Sequence, residues 1–167
     1  LIAEQMFASG CRLLLSITSA GQILPVQTPP YYIVIDRALR DEGTSYHYLP
    51  PADYSEADET LVRLARDTLL EAGIAVAMGS SWTTDAPFRE TREAIEAAER
   101  AGILAVEMEA AALYAFAKAR SRPVLCFAHV TNQMGRIEGD FEKGVTDGAQ
   151  DSLTAISLVA RRWRAAG

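Results

Sequence analysis

The chain is 167 residues long, 49% hydrophobic and 23% charged, with 16 Lys and Arg against 22 Asp and Glu and a net charge of −6. That length suits a single domain with a substantial core, and the composition excludes disorder across the whole chain. The acidic balance disfavours a nucleic-acid partner, and no apolar run approaches the roughly 20 residues a membrane span requires.

The elements follow in chain order. Residues 1–10 read as the end of an amphipathic helix, opening on Leu1 without a methionine, as expected of a segment cut from something longer. Residues 12–18 form a continuous apolar run after Gly10, which predicts a buried parallel strand. Residues 31–36, behind the Pro29-Pro30 break, read as a second strand, and residues 47–54, with Pro50 and Pro51, as a loop. Ser55 and Asp58 have capping-box-like spacing before a helix marked by Leu61, Leu64, Ala65, Leu69 and Ala72, which Gly73 stops. Residues 74–79 predict a short strand, and residues 80–91, with Pro87, a polar loop. Ala94, Ile95 and Ala98 mark a helix ending at Gly102.

An apolar strand over 103–106 then gives way to an alanine-rich helix, and residues 123–130 form a nearly all-apolar strand followed by a polar loop over 131–140. Val145, Ala149, Leu153, Ile156, Ala160 and Trp163 form the stripe of a terminal helix, with Arg161, Arg162 and Arg164 where the helix dipole favours cations. Strands alternating with helices predict an α/β layered domain with a mostly parallel sheet. Cys11 and Cys126 sit in or beside apolar strands far apart in sequence and read as reduced thiols, which fits a cytosolic protein. No Cys/His spacing points to a metal, and nothing near the start reads as a signal peptide. His129 ends an apolar strand and reads as a satisfied core histidine, whereas His47 reads as exposed.

Chemistry is concentrated at Val106-Glu107-Met108-Glu109-Ala110-Ala111. Two carboxylates stand two residues apart at the carboxyl end of a strand, where α/β folds bind ligands. If both lie at the strand end they point the same way, with Met108 opposite, unless the strand is already turning into the helix. A carboxylate accepts hydrogen bonds from two vicinal hydroxyls, as a ribose diol presents them. The alternative for Glu109 is a charge placed to suit the helix amino terminus.

That string closely resembles the ribose-binding signature of the nucleoside phosphorylase family that includes hexameric purine nucleoside and uridine phosphorylases. The resemblance implies that Glu109 holds the ribose hydroxyls, that Met108 packs on the sugar and that Glu107 lines the same pocket. It extends over nearly the whole chain. Thr18-Ser19-Ala20-Gly21 resembles the family's small-residue turn, which presents donors without bulk to phosphate or sugar. The segment from Trp82 to Thr91 resembles the base-recognition loop, with Phe88 and Arg89 as contacts; core packing for Phe88, a solvated charge for Arg89 and an N-cap cluster for Thr83, Thr84 and Asp85 are the alternatives. Asn132 falls where purine-cleaving hexameric members carry Asp. An Asn donates and accepts hydrogen bonds but cannot protonate a departing purine, so uridine phosphorylases are the nearer likeness here.

The chain also departs from the family. Ser16 stands where the phosphorylases usually place a phosphate-clamping arginine, which the related methylthioadenosine nucleosidases also lack. The family's amino-terminal third, with its glycine-rich phosphate loop and first strands, has no counterpart, which should leave an apolar sheet edge exposed. Pro87 aligns with the base-stacking aromatic.

The resemblance implies a three-layer α/β domain over residues 1–167, with a mixed, mostly parallel central sheet flanked by helices and its amino-terminal portion missing. It implies cleavage of the N-glycosidic bond of a uridine-like or 6-oxopurine ribonucleoside, with Glu109 and Asn132 catalytic. Glu107, Met108, Glu109, Ser19, Ala20, Gly21, Phe88 and Arg89 would bind substrate. Phosphate would be the co-substrate, giving ribose 1-phosphate, with no metal or other cofactor, in a cytoplasmic homo-oligomer. Two other readings stay open: a nucleosidase using water, from Ser16, and a non-catalytic nucleoside-binding or assembly remnant, from the missing phosphate half.

Overall fold

A computed structural model of the chain describes residues 2–133 and 148–167, with residues 131–133 described as backbone. The elements are α1 (Ile2–Ala8), β1 (Leu14–Gln22), β2 (Tyr31–Asp41), β3 (Tyr54–Glu56), α2 (Glu59–Glu71), β4 (Val76–Thr84), α3 (Arg92–Arg100), β5 (Ala105–Glu107), α4 (Ala110–Arg120), β6 (Val124–Gln133) and α5 (Ala149–Ala166). The sheet runs in the order β3-β2-β4-β5-β1-β6, and β2 also pairs with β6, so the sheet curls back on itself. The longest ladders, β1 with β6 and β2 with β4, are parallel, as is β4 with β5. The β1–β5, β2–β3 and β2–β6 pairings are antiparallel. The result is the expected three-layer α/β arrangement with a mixed sheet.

Period-two alternation builds both cores. Tyr31, Ile33 and Ile35 of β2, with Val124, Cys126 and Ala128 of β6, pack against α1 and α4. The intervening Tyr32, Val34, Leu125 and Phe127 pack against α2 and α5. A third cluster seats Ala98 of α3 on Ile103, Val106 and Trp82. Helix α4 shows no strong apolar stripe because its first two turns, Ala110 through Phe116, are buried all round apart from the half-buried Leu113. Its run of alanines lets the helix axis approach the sheet closely. The Tyr114 hydroxyl then donates to the Ile35 carbonyl at 2.6 Å and accepts from the Cys126 amide at 3.0 Å.

Several expectations change. Strand β2, expected over 31–36, runs on to Asp41, and Tyr54, expected in a loop, opens β3. Strand β1 is parallel to β6 but only half-buried over Leu14–Thr18, because β5 meets its other edge only at Gly21 and Gln22. Residues 80–84, expected as loop, continue β4, and Ser80, Ser81, Thr83 and Thr84 are all buried. Their polarity suggested solvent, whereas interior hydrogen bonds account for at least Ser81 and Thr83. Helix α2 is capped by Asp58 alone, which accepts from the Thr60 and Leu61 amides at 2.8 and 3.0 Å, while Ser55 lies in β3. Residues 131–133, expected as loop, extend β6.

The polar loop beyond 133 and Val145 lie outside the described residues. Gly73 and Gly102, at φ +71° and +74°, terminate α2 and α3 in a conformation that L side chains avoid. Cys11 and Cys126 are both free thiols. Among the described residues, no helix is long and apolar enough to cross a membrane, and no cluster of His, Cys, Asp and Glu has the makings of a metal site.

Candidate functional site

Strand register assembles the site. Thr18-Ser19-Ala20-Gly21, expected as a turn after the first strand, instead lies within β1, with a shift of register between Ala20 and Gly21. Gly21 stands opposite both Val106 of β5 and Asn132 of β6, so this small-residue segment, the Glu-Met-Glu string and the Asn132 backbone converge at one end of the sheet. One strand further, Thr83 of β4 is the register partner of Glu107. Ser19 is exposed, Ala20 buried and Gly21 half-buried, so this end of β1 offers a hydroxyl outward with little bulk. The side chain of Asn132 lies outside the described residues.

The two glutamates do not face the same way. β5 ends at Glu107 and the chain bends through Met108 and Glu109 into α4, which ends strand alternation. Glu107 is 4% exposed, whereas Met108 is 47% exposed and Glu109 also faces outward. The buried carboxylate is fully engaged. Its Oε1 accepts from the Ser81 hydroxyl at 3.0 Å and from the Thr83 hydroxyl. Its Oε2 accepts from the amides of Glu109 and Ala110, each at 2.7 Å. Burial raises the acid's pKa, while the bonds from Thr83, the two amides and Ser81 pull the other way. Among the described residues no cation stands beside this group, and four donors and the amino terminus of α4 together compensate its charge.

Glu109 occupies the N-cap position of α4 yet makes no side-chain cap bond. Among the described residues, its Oε2 accepts only a long bond, 3.3 Å, from the Met108 amide. An N-cap acceptor ordinarily takes the amide two or three residues on. Here Glu107 takes the Glu109 and Ala110 amides, and the Thr83 hydroxyl accepts from the Ala111 amide at 3.0 Å. The Glu109 carboxylate is left facing outward with most of its acceptor capacity unused, as a ligand for a diol needs to be.

Phe88 and Arg89 lie on the short 3₁₀ turn Pro87–Arg89 that follows β4. Phe88 is 100% exposed, which excludes core packing for its ring, and Arg89 is exposed as well. Neither makes a contact that ties it to Met108 or Glu109. Asp85 does not cap α3; its Oδ2 accepts from the Gly43 amide at 3.2 Å, and Thr91 is the cap, accepting from Ala94. His129 is buried and stacked on Tyr32, ring centroids 4.8 Å apart, and His47 is exposed.

Two roles were not read from the sequence. Arg40 is 5% exposed, and its guanidinium donates to Ser45 Oγ at 2.8 Å, Pro50 O at 2.7 Å and Leu49 O at 3.2 Å, so it fastens the 42–50 loop. Ser81 and Thr83 were missed as partners of Glu107. Their one sequence signal is hydroxyls at i and i+2, which a strand places on one face. Ser16 lies within the β1–β6 ladder opposite Cys126.

A family model described as the phosphorylase superfamily matches residues 1–162. The chain is similar to DeoD-type purine nucleoside phosphorylases of Geobacillus kaustophilus and Bacillus cereus. Identity is 32% and 28% respectively, over 117 residues in each case, or 70% of this chain. It spans about half the length of these curated relatives, 49% and 50%. The fold is similar to that of the AMP nucleosidase from Bacteroides thetaiotaomicron, with a TM-score of 0.82 at 18% identity, covering 99% of this chain and 69% of that one.

Proposed function

The chain belongs to the phosphorylase superfamily, and on that premise we propose that it cleaves the N-glycosidic bond of a ribonucleoside, uridine-like or 6-oxopurine, within a homo-oligomer. The observation that carries this reading is the Glu109 carboxylate, which stands at the amino terminus of α4 without capping it. Its two oxygens accept the ribose 2′- and 3′-hydroxyls, and Met108 lies against the sugar. Ser19, Ala20 and Gly21 border the same end of the sheet, and Phe88 and Arg89, exposed on their turn, meet the base.

Cleavage proceeds through an oxocarbenium-like state. The C1′–N bond breaks with its electron pair moving to the base, and Asn132 stabilises the departing base by hydrogen bonding rather than as an acid. Positioning and electrostatics supply the acceleration, with no metal or other cofactor. Phosphate is the co-substrate, adding an oxygen to C1′ to give ribose 1-phosphate; the similarity to two purine nucleoside phosphorylases supports this choice.

A second reading puts water in place of phosphate. Ser16 favours it, since a hydroxyl cannot replace a bidentate guanidinium, and Arg40 is committed to loop carbonyls. The deciding experiment follows release of uracil from uridine and of hypoxanthine from inosine, with and without phosphate, in wild type and Glu109→Ala. Phosphate-dependent release abolished by the substitution supports phosphorolysis, and release in phosphate-free buffer selects hydrolysis. Release of neither base defeats both enzyme readings.

A further inference from the structure

We propose that Thr83, assisted by Ser81, is a positioning residue for the Glu109 carboxylate, acting through Glu107 and the Ala111 amide. This rests on the reading of Glu109 as the ribose-gripping group. The two hydroxyls project from one face of β4, and Thr83 is the register partner of Glu107. A threonine hydroxyl donates and accepts at once. Here it donates to Glu107 Oε1 and accepts from the Ala111 amide at 3.0 Å.

The second of those bonds decides what Glu109 does. A helix leaves its first amides without intrahelical partners, and the N-cap side chain ordinarily takes one from the second or third helical residue. With Glu109 as N-cap and Ala110 as the first helical residue, Ala111 is the second. Thr83 therefore holds an amide that the Glu109 side chain would otherwise capture. Glu107, itself oriented by Ser81 and Thr83, holds the amides before it. A neighbouring strand thus performs the capping, and the carboxylate of Glu109 stays outside the helix. Valine at 83 would keep the shape of threonine while freeing the Ala111 amide and weakening the hold on Glu107. Glu109 then turns inward as an ordinary cap and is lost to the ligand.

The test compares binding of inosine with that of 2′,3′-dideoxyinosine, by calorimetry, in wild type, Thr83→Val, Thr83→Ser and Glu109→Ala. Hydrogen bonds to a charged group correspond to about a tenfold preference or more for the ribose, which wild type should show and Glu109→Ala should lack. Thr83→Val should lose most of that preference while binding the dideoxynucleoside as wild type does, and Thr83→Ser should keep it. A general loss of packing would weaken both ligands alike.

Carbon NMR of the Glu109 carboxyl, without ligand and at neutral pH, provides a separate readout. Its resonance should move in Thr83→Val and stay in place in Thr83→Ser. A carboxyl resonance unmoved in Thr83→Val, or a ribose preference retained by that variant, overturns the proposal. A wild type that binds inosine and dideoxyinosine equally removes instead the ribose reading on which it rests.

Discussion

The carboxylate of Glu107 lies 2.7 Å from the amide nitrogen of Ala110, so a side chain at the end of β5 accepts from the first residue of α4. The bond links sheet to helix within three residues of chain, and the same carboxylate takes two hydroxyls from β4. Strand end, neighbouring strand and helix start are thereby one hydrogen-bonded unit beneath Met108 and Glu109. The position of the exposed pair follows from the buried acid.

Glu107→Gln should destabilise the fold by about 1–2 kcal/mol, because its oxygen can keep the Glu109 and Ala110 amides only as neutral bonds while its NH₂ faces the Ser81 and Thr83 hydroxyls, which must turn from donating to accepting. Glu107→Ala should cost at least as much, since it orphans the amides and both hydroxyls. Urea unfolding measures both. A loss below about 0.5 kcal/mol for Glu107→Gln would mean that the four-donor arrangement does not form, since that is the range of ordinary surface substitutions.

Tyr114→Phe removes a fully buried hydroxyl that bridges β2 and β6 through Ile35 O and Cys126 N. Phenylalanine fills the same space, so the effect isolates the hydrogen bonds. The expected loss is about 1–3 kcal/mol, the cost of leaving a buried amide and carbonyl unpaired. It should appear as a lower midpoint in urea with an unchanged slope. A midpoint equal to wild type would show that both backbone groups find other partners.

The layered fold was legible in this sequence because strands and helices differ in period and stop at recognisable residues. Ile33 and Ile35 against Tyr32 and Val34 show how one strand feeds two cores, and Gly73 and Gly102 mark helix ends. The length of β4 was hidden because Ser80, Ser81, Thr83 and Thr84 are polar but buried, and hydropathy cannot register a hydroxyl whose partner lies inside. The Glu-Met-Glu string marked the site, but the division of labour within it was not readable. Whether a glutamate at a strand end faces in or out depends on which donors the next strand supplies, and Thr83 lies 24 residues upstream of the acid it holds. Register brings them together, and register is a long-range property.

Asp58→Ala should cost about 1 kcal/mol. The Asp58 side chain accepts from two amides in the first turn of α2, and alanine returns both to water. Asp58→Asn, which keeps the acceptor, should recover most of that loss, and thermal unfolding of the pair measures the cap. Equal melting temperatures for wild type and Asp58→Ala would mean that packing of Leu61, Val62, Ala65 and Leu69 alone sets the stability of α2.

Asp36 should oppose folding at neutral pH, and the sign follows from its surroundings. Its Oδ1 is buried without a hydrogen-bond partner, and desolvation raises its pKa above the usual 3.8, with Arg37 working against the shift and Glu56 adding to it. Between 3.8 and the raised value the native state holds a proton that the unfolded chain has released, so stability falls as pH rises through that window. Above the window both states are ionised and the full penalty persists; below 3.8 both are protonated and it vanishes. Asp36→Asn removes the charge and should raise the melting temperature at pH 7, with the advantage over wild type shrinking as the pH is lowered through the window. An advantage independent of pH would assign the gain to packing, and a variant less stable at pH 7 would mean that the ionised carboxylate has a partner that stabilises it.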